Sequence, residues 1–196
     1  MRKSLSLTLI ALVCGGIAIS LWAGDGHENE NKHSLFKRFF EDERDFRPTA
    51  YLRDPQYPAY LTGCGDCHMA YPANMLPGES WQAMMASLDN HFGDNAELDP
   101  QVASEIGDFL NRHAAGPDQG GYSARLWRST RKVALASRIT DTDYFRGKHH
   151  EITTAMVTEN PDIGSFSRCD ACHADAAQGA FDEHQVSIPG YGRWDD

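Results

Sequence analysis

Two short stretches carry residue types and spacing that could do chemistry: Cys64-Gly65-Asp66-Cys67-His68 and Cys169-Asp170-Ala171-Cys172-His173. Cys-x-x-Cys-His sets two thiols three residues apart on one incipient helical turn, from which they reach both vinyl groups along one edge of a porphyrin. The adjacent imidazole then lies under the ring and supplies a nitrogen to iron. The reading is covalent attachment of two c-type haem groups through Cys64, Cys67, Cys169 and Cys172, with His68 and His173 as proximal ligands. Other uses of four cysteines fit less well. A structural zinc site would not leave about a hundred residues between its Cys pairs, nor require a His after each. Two disulfides would suit an oxidising compartment. A thioredoxin-like pair wants a strand-helix setting that the sequence does not offer.

An iron with its proximal His alone is open to small molecules, and a second protein ligand closes it in favour of electron transfer. Seven other histidines could serve: His27, His33, His91, His113, His149, His150 and His184. For the second haem, the helical spacing Phe145, His149, Ile152, Met156 puts His149 on the apolar face. His150 falls about 100° away, so it and His184 are the weaker candidates. For the first haem, periodicity leaves His91 and His113 nearly equal. Thioether ligation by Met75, Met84 or Met85 would raise the reduction potential, although a Met at helical spacing is more often core.

Mainly α-helical elements with long loops must position these residues. Ser80 can cap a helix with Trp81, Met84, Met85 and Leu88 on one face, closed by His91-Phe92-Gly93. Asp99 and Pro100 begin a second helix, with Val102, Ile106, Phe109, Leu110 and His113 on one face and a stop at Gly116-Pro117. Asp141 to Asp143 begin a third, running through Met156. No hairpin signal stands out, and the tail through Pro189-Gly190 shows no strand pattern. Linker-like residues 116 to 121 suggest a boundary between an N-terminal haem domain, 50–117, and a C-terminal one, 118–196. Arg125, Arg128, Arg131, Lys132 and Arg138 form a basic run suited to haem propionates or an acidic partner.

The 196 residues suit one or two small domains, and nine Phe, seven Tyr and four Trp are too many for a disordered chain. A net charge of -10 argues against nucleic-acid binding, and a mean hydropathy of -0.52 argues against a polytopic membrane protein. Residues 1–23 read as a Sec signal peptide, with Arg2-Lys3 before an apolar run from Leu5 to Ile19 and small residues after it. An uncleaved membrane anchor is the alternative. Either places the rest of the chain outside the cytoplasm, in the periplasm. Residues 24–49 follow as a polar spacer and an amphipathic segment, Leu35 to Phe46.

The chain also resembles a known family, the bacterial dihaem cytochromes c called DHC. The resemblance rests on Cys64-Gly65-Asp66-Cys67-His68-Met69-Ala70-Tyr71-Pro72, Ser80-Trp81-Gln82-Ala83-Met84-Met85, His91-Phe92-Gly93, Arg138-Ile139-Thr140, Tyr144-Phe145, His149, and Gly179-Ala180-Phe181 after the second haem motif. It implies a first domain similar to class I cytochrome c and a less regular second one. Both irons would be bis-histidine, with His91 and His149 as distal ligands. It further implies electron delivery to a small oxygen-binding monohaem cytochrome, SHP, and exchange with a membrane cytochrome b. The expected function is electron transfer without a catalytic acid, base or nucleophile. The rival is a dihaem peroxidase or small-molecule reductase with one open iron, where His150 or Glu151 would act as acid-base residue.

Overall fold

A computed structural model of the chain describes residues 51–119, 121–130 and 138–194, all of them within one compact unit, Phe40–Asp196. The expected leader, the spacer with Leu35 to Phe46, His27, His33, and Arg131 and Lys132 of the basic run lie outside the described residues. Among those described, five α-helices carry the fold: α1 (Tyr57–Gly65), α2 (Gly78–Met85), α3 (Pro100–His113), α4 (Gly121–Thr130) and α5 (Asp143–Lys148). None of the described helices is long and apolar enough to cross a membrane. Short 3-10 turns and loops make up most of the remainder, as the mainly α expectation required.

The helix from Pro100 forms as its signals predict. Asp99 accepts the Gln101 backbone N–H at 2.9 Å, and Pro100 supplies a fixed φ where no donor is needed. Its face Ile106, Phe109 and Leu110 is fully buried against Tyr60, Leu76 and Trp81, each such side chain stabilising by about 1.5–3 kcal/mol. Past its end, the Ala115 N–H donates to the Leu76 carbonyl at 2.8 Å, which ties the end of α3 to the entry of α2. Within the core, Trp81 Nε1 donates to the Ala73 carbonyl at 2.6 Å, satisfying an otherwise buried pair.

Three expectations are corrected. Helix α2 begins at Gly78 behind Pro77, so Ser80 is buried inside it and is not its cap. Gly78 allows this because α3 passes close by: a Cβ there would stand 3.0 Å from Asn111 Oδ1. Helix α5 stops at Lys148 short of Met156, which belongs to a separate 3-10 turn, Thr154–Met156. Gly147 weakens its end, and β-branched Ile152, Thr153 and Thr154 do not extend it. The tail does hold a hairpin, β1 (Ser187–Ile188) with β2 (Gly192–Arg193). Pro189-Gly190 is its turn: Gly190 has φ of 80°, and the Tyr191 N–H donates to the Ile188 carbonyl at 2.9 Å, a type II arrangement.

The segment 116–121 connects α3 to α4, and contacts span it. Tyr122 OH donates to the Gly179 carbonyl at 3.3 Å, and Met75 packs with Tyr122 and Leu126 of α4. In α4 itself Arg128 is exposed and Arg125 half-buried, while Tyr122, Ala124 and Leu126 face inward.

Candidate haem sites

The first motif sits at the C-terminal end of α1, with Cys64 in its last turn and Cys67 and His68 in the loop beyond. Burial pushes the Cys64 thiol up to about 11, so its sulfur lies against the core, while Cys67 is exposed. His68 Nδ1 donates to the Met69 carbonyl at 2.8 Å. A carbonyl can only accept, so this bond fixes the proton on Nδ1 and leaves the Nε2 lone pair for a metal. The His68 ring packs against Tyr71 at 4.9 Å and faces His91 at 6.2 Å between centroids, the planes 23° apart.

His91 is held by a tight turn. Its N–H donates to the Asp94 carbonyl at 2.7 Å, and the Asp94 N–H returns to the His91 carbonyl at 3.2 Å. The turn forces Phe92 to φ of 58° and Gly93 to 108°. Left-handed backbone at a bulky residue is costly and concentrates where a side chain must be aimed. The Arg138 guanidinium lies 3.9 Å over the exposed Phe92 ring. Burial first, then His68 and Arg138, holds the His91 imidazole below the usual histidine range, which favours the neutral, ligating form.

The other candidates for this site are engaged elsewhere. His113 Nε2 bonds Asp54 Oδ2 at 2.8 Å, and its ring packs on Phe109. Met84 and Met85 pack against the core around Trp81 and Phe109, and Met75 is buried beside Tyr122. Periodicity could not separate His91 from His113, because only the tertiary placement of Asp54 removes the latter.

The second motif forms its own turn. The Cys172 and His173 N–H groups both donate to the Cys169 carbonyl, at 3.2 and 2.8 Å, which gathers both thiols and the imidazole on one coil of backbone. Burial pushes the Cys169 thiol up to about 11 and raises that of Cys172. His149 stands at the end of α5, where Nδ1 donates to the Phe145 carbonyl at 2.9 Å, again leaving Nε2 for a metal. Its ring stacks on Phe145 at 3.9 Å and faces His173 at 6.2 Å between centroids, the planes 70° apart. All four of Cys169, Cys172, His173 and His149 line one cavity of ≈ 1410 Å³, counting the part open to solvent. Phe145, Ile152, Val157 and Phe166 give it apolar walls. Paired sulfurs, two imidazoles facing each other across the cavity and apolar walls form a set that fits a covalently held haem.

His150 points away from this cavity. Its Nδ1 donates to the Gly147 carbonyl at 2.9 Å, and its side chain is 70% exposed beside Glu151. His184 reaches the cavity rim but is exposed.

The family model for dihaem cytochrome c matches residues 60–181, which spans both motifs and both facing histidines. The chain belongs to this dihaem cytochrome c family. Its fold is similar to a diheme cytochrome type c from Shewanella baltica OS155, at 48% identity and a TM-score of 0.60, covering 72% of this chain and 99% of that one. A diheme cytochrome c from Rhodobacter sphaeroides aligns at 39% identity and a TM-score of 0.56, covering 63% of this chain and 95% of that one. A structure of DHC purified from Rhodobacter sphaeroides aligns at 36% identity, a TM-score of 0.51 and coverage of 63% and 96%. The comparison with curated proteins gives no match. As a dihaem cytochrome c, the chain carries two covalent c-type haems and functions in haem-based electron transfer.

The residues that sequence reasoning missed are aromatic. Phe166 packs against His149, and Tyr71 packs against His68. Nothing in the sequence announces either contact, whereas the i, i+4 spacing of Phe145 and His149 is legible there and the structure stacks the two rings.

Proposed function

We propose that this dihaem cytochrome is an exported, periplasmic electron carrier, not an enzyme, with both irons held between two imidazoles. Cys64 and Cys67 would anchor the first haem between His68 and His91, and Cys169 and Cys172 the second between His173 and His149. The observation that carries this reading is one distance found twice: each facing pair of histidine rings is separated by 6.2 Å. A metal–imidazole bond of about 2 Å plus about 1.2 Å from nitrogen to ring centre puts two imidazoles on opposite sides of one iron roughly 6.4 Å apart.

When bound, each haem supplies one-electron chemistry at its iron. The chain's own part is to keep the ligand set constant. The Met69 and Phe145 carbonyls orient His68 and His149, and the His91–Asp94 turn holds His91. Two imidazoles with no thioether imply comparatively low potentials. The rival enzyme needs an acid-base residue at an open iron, and the exposed His150 with its bond back to Gly147 favours the carrier. The proposed partners are a membrane cytochrome b-type donor and a soluble SHP-like monohaem cytochrome. A net charge of -10 favours partners that present a basic surface.

The test is the absorption spectrum of the purified protein with and without carbon monoxide. Two low-spin haems unaffected by the gas support the carrier, whereas a high-spin haem that binds it favours the enzyme. His91→Ala is expected to convert one haem alone to high spin. An unchanged spectrum removes His91 as a ligand.

A further inference from the structure

One side chain touches both haem sites. Tyr71 lays its ring on His68, centroids 4.9 Å apart, and its hydroxyl donates to the Ser167 carbonyl at 2.7 Å, across ninety-six positions of sequence. The same carbonyl is the one that Cys169 Sγ approaches, at 3.7 Å. Tyr71 is itself fixed from behind, because the buried Tyr60 hydroxyl donates to its carbonyl. A run of close contacts therefore leads from the proximal imidazole of one site, through one aromatic ring and one hydrogen bond, to the backbone two residues before an anchoring cysteine of the other.

We propose that Tyr71 is the positioning residue that sets the relative placement of the two haems and carries the electronic contact between them. This rests on the reading of His68 and Cys169 as haem-bearing residues. The ring holds one end and the hydroxyl the other, so a single rigid side chain with two rotatable torsions spans the two attachment segments. Electron exchange between the sites moves one electron: the site that gives it is oxidised, the other is reduced, and no proton or bond is exchanged. Such transfer falls off steeply with separation, and a bonded path favours it over a gap. Once the Cys169 sulfur is a thioether it has no hydrogen to donate, so in the mature protein the Ser167 carbonyl is left to the Tyr71 hydroxyl.

The experiment uses holoprotein. Wild type and Tyr71→Phe are reduced by less than one electron per molecule with a flash-generated flavin semiquinone, and the phase independent of protein concentration is followed. Tyr71→Phe keeps the ring on His68 and loses only the bond to Ser167. The expected result is a several-fold slower internal phase, with both haems still low-spin and the melting temperature little changed. An internal phase at the wild-type rate overturns the proposal. A second measurement stands without the variant: in fully reduced, diamagnetic wild-type protein, the Tyr71 ring protons are expected to show proton–proton contacts to Ser167. Absence of those contacts overturns the proposal as well. Failure of the bis-histidine reading would show differently, as a high-spin haem in the wild type.

Discussion

His91 presents its imidazole to His68 at 6.2 Å with the two planes only 23° from parallel. His149 and His173 stand at the same separation but 70° apart. The difference has a spectroscopic consequence. On the proposed bis-histidine ligation each imidazole would donate π density perpendicular to its own plane, so near-parallel rings would split the iron d orbitals while near-perpendicular rings would leave them close in energy. Oxidised protein is therefore expected to give two low-spin electron paramagnetic resonance signals: a rhombic one from the His68–His91 site and a more anisotropic one, with a larger maximum g value, from the other. His91→Ala should remove the rhombic signal alone. Two signals of the same shape would contradict the ring orientations.

The Asp54 carboxylate makes a prediction about acid. It accepts from His113 Nε2 at 2.8 Å, from the Gln56 N–H at 2.8 Å and from Arg112 Nη2 at 3.0 Å. The His113 bond above all, then Gln56 and Arg112, holds its carboxyl at about 2 against burial, which pulls the other way. The folded value lies below the ordinary one, so the folded state binds the proton less readily than the unfolded chain. The stabilisation is then complete above the unfolded value of 3.8 and is lost as pH falls through about 2. Asp54→Asn is expected to lower stability near neutral pH by about 1 kcal/mol, discounted because the Arg112 partner is solvent-exposed. The gap between variant and wild type, read from melting curves, should narrow from pH 4 downward. A constant gap would show that the ionised carboxylate is not what holds α3 to the Tyr51–Arg53 segment.

How much of this was legible depended on whether the deciding interaction was local. Helix α3 announced itself because its cap, its first-turn proline and its apolar face are all written within fourteen residues. Both attachment motifs are equally local, and the expectation for His149 rests on the four residues that separate it from Phe145. Helix α1 is weakly signalled: Pro58, Thr62, Gly63 and Gly65 are poor helix formers within nine residues, and its order comes from packing Tyr57, Tyr60 and Cys64 on the core around α3. The boundary of α5 was misplaced because an apolar period continued past the point where the backbone turned. The choice of His91 over His113 needed Asp54, and the role of Tyr71 needed Ser167, both distant in sequence. Such pairings are set by the assembled core, which a single sequence does not display.

Phe92 tests whether the turn that holds His91 is strained. Its φ of 58° is unfavourable for any residue with a Cβ and neutral for glycine. Phe92→Ala and Phe92→Gly both lose the contact with Arg138, so the difference between them isolates the backbone. The glycine variant is expected to be the more stable by about 1 kcal/mol, despite its greater unfolded-state entropy. If alanine proves equal or better in thermal melts, the left-handed turn is not present in the protein.

Two glycines flanking Cys64 give opposite predictions. A Cβ on Gly63 would stand 2.7 Å from Ile106 Cδ1, with Leu98 methyls at 3.6 and 3.7 Å, whereas one on Gly65 would meet nothing within 4 Å. Ile106 is fully buried in the core, so relieving the clash of Gly63→Ala means displacing its Cδ1 methyl within that core or moving α1 from α3, at a cost of about 1–3 kcal/mol. The shift acts on the turn that bears Cys64, so the Soret band of the first haem should change at a lower temperature than that of the second. Gly65→Ala sits in the last turn of the same helix and is expected to be neutral or to stabilise by up to about 1 kcal/mol through helix propensity. Equal melting temperatures for the two variants would mean that α1 and α3 do not approach as closely as Gly63 and Ile106 require.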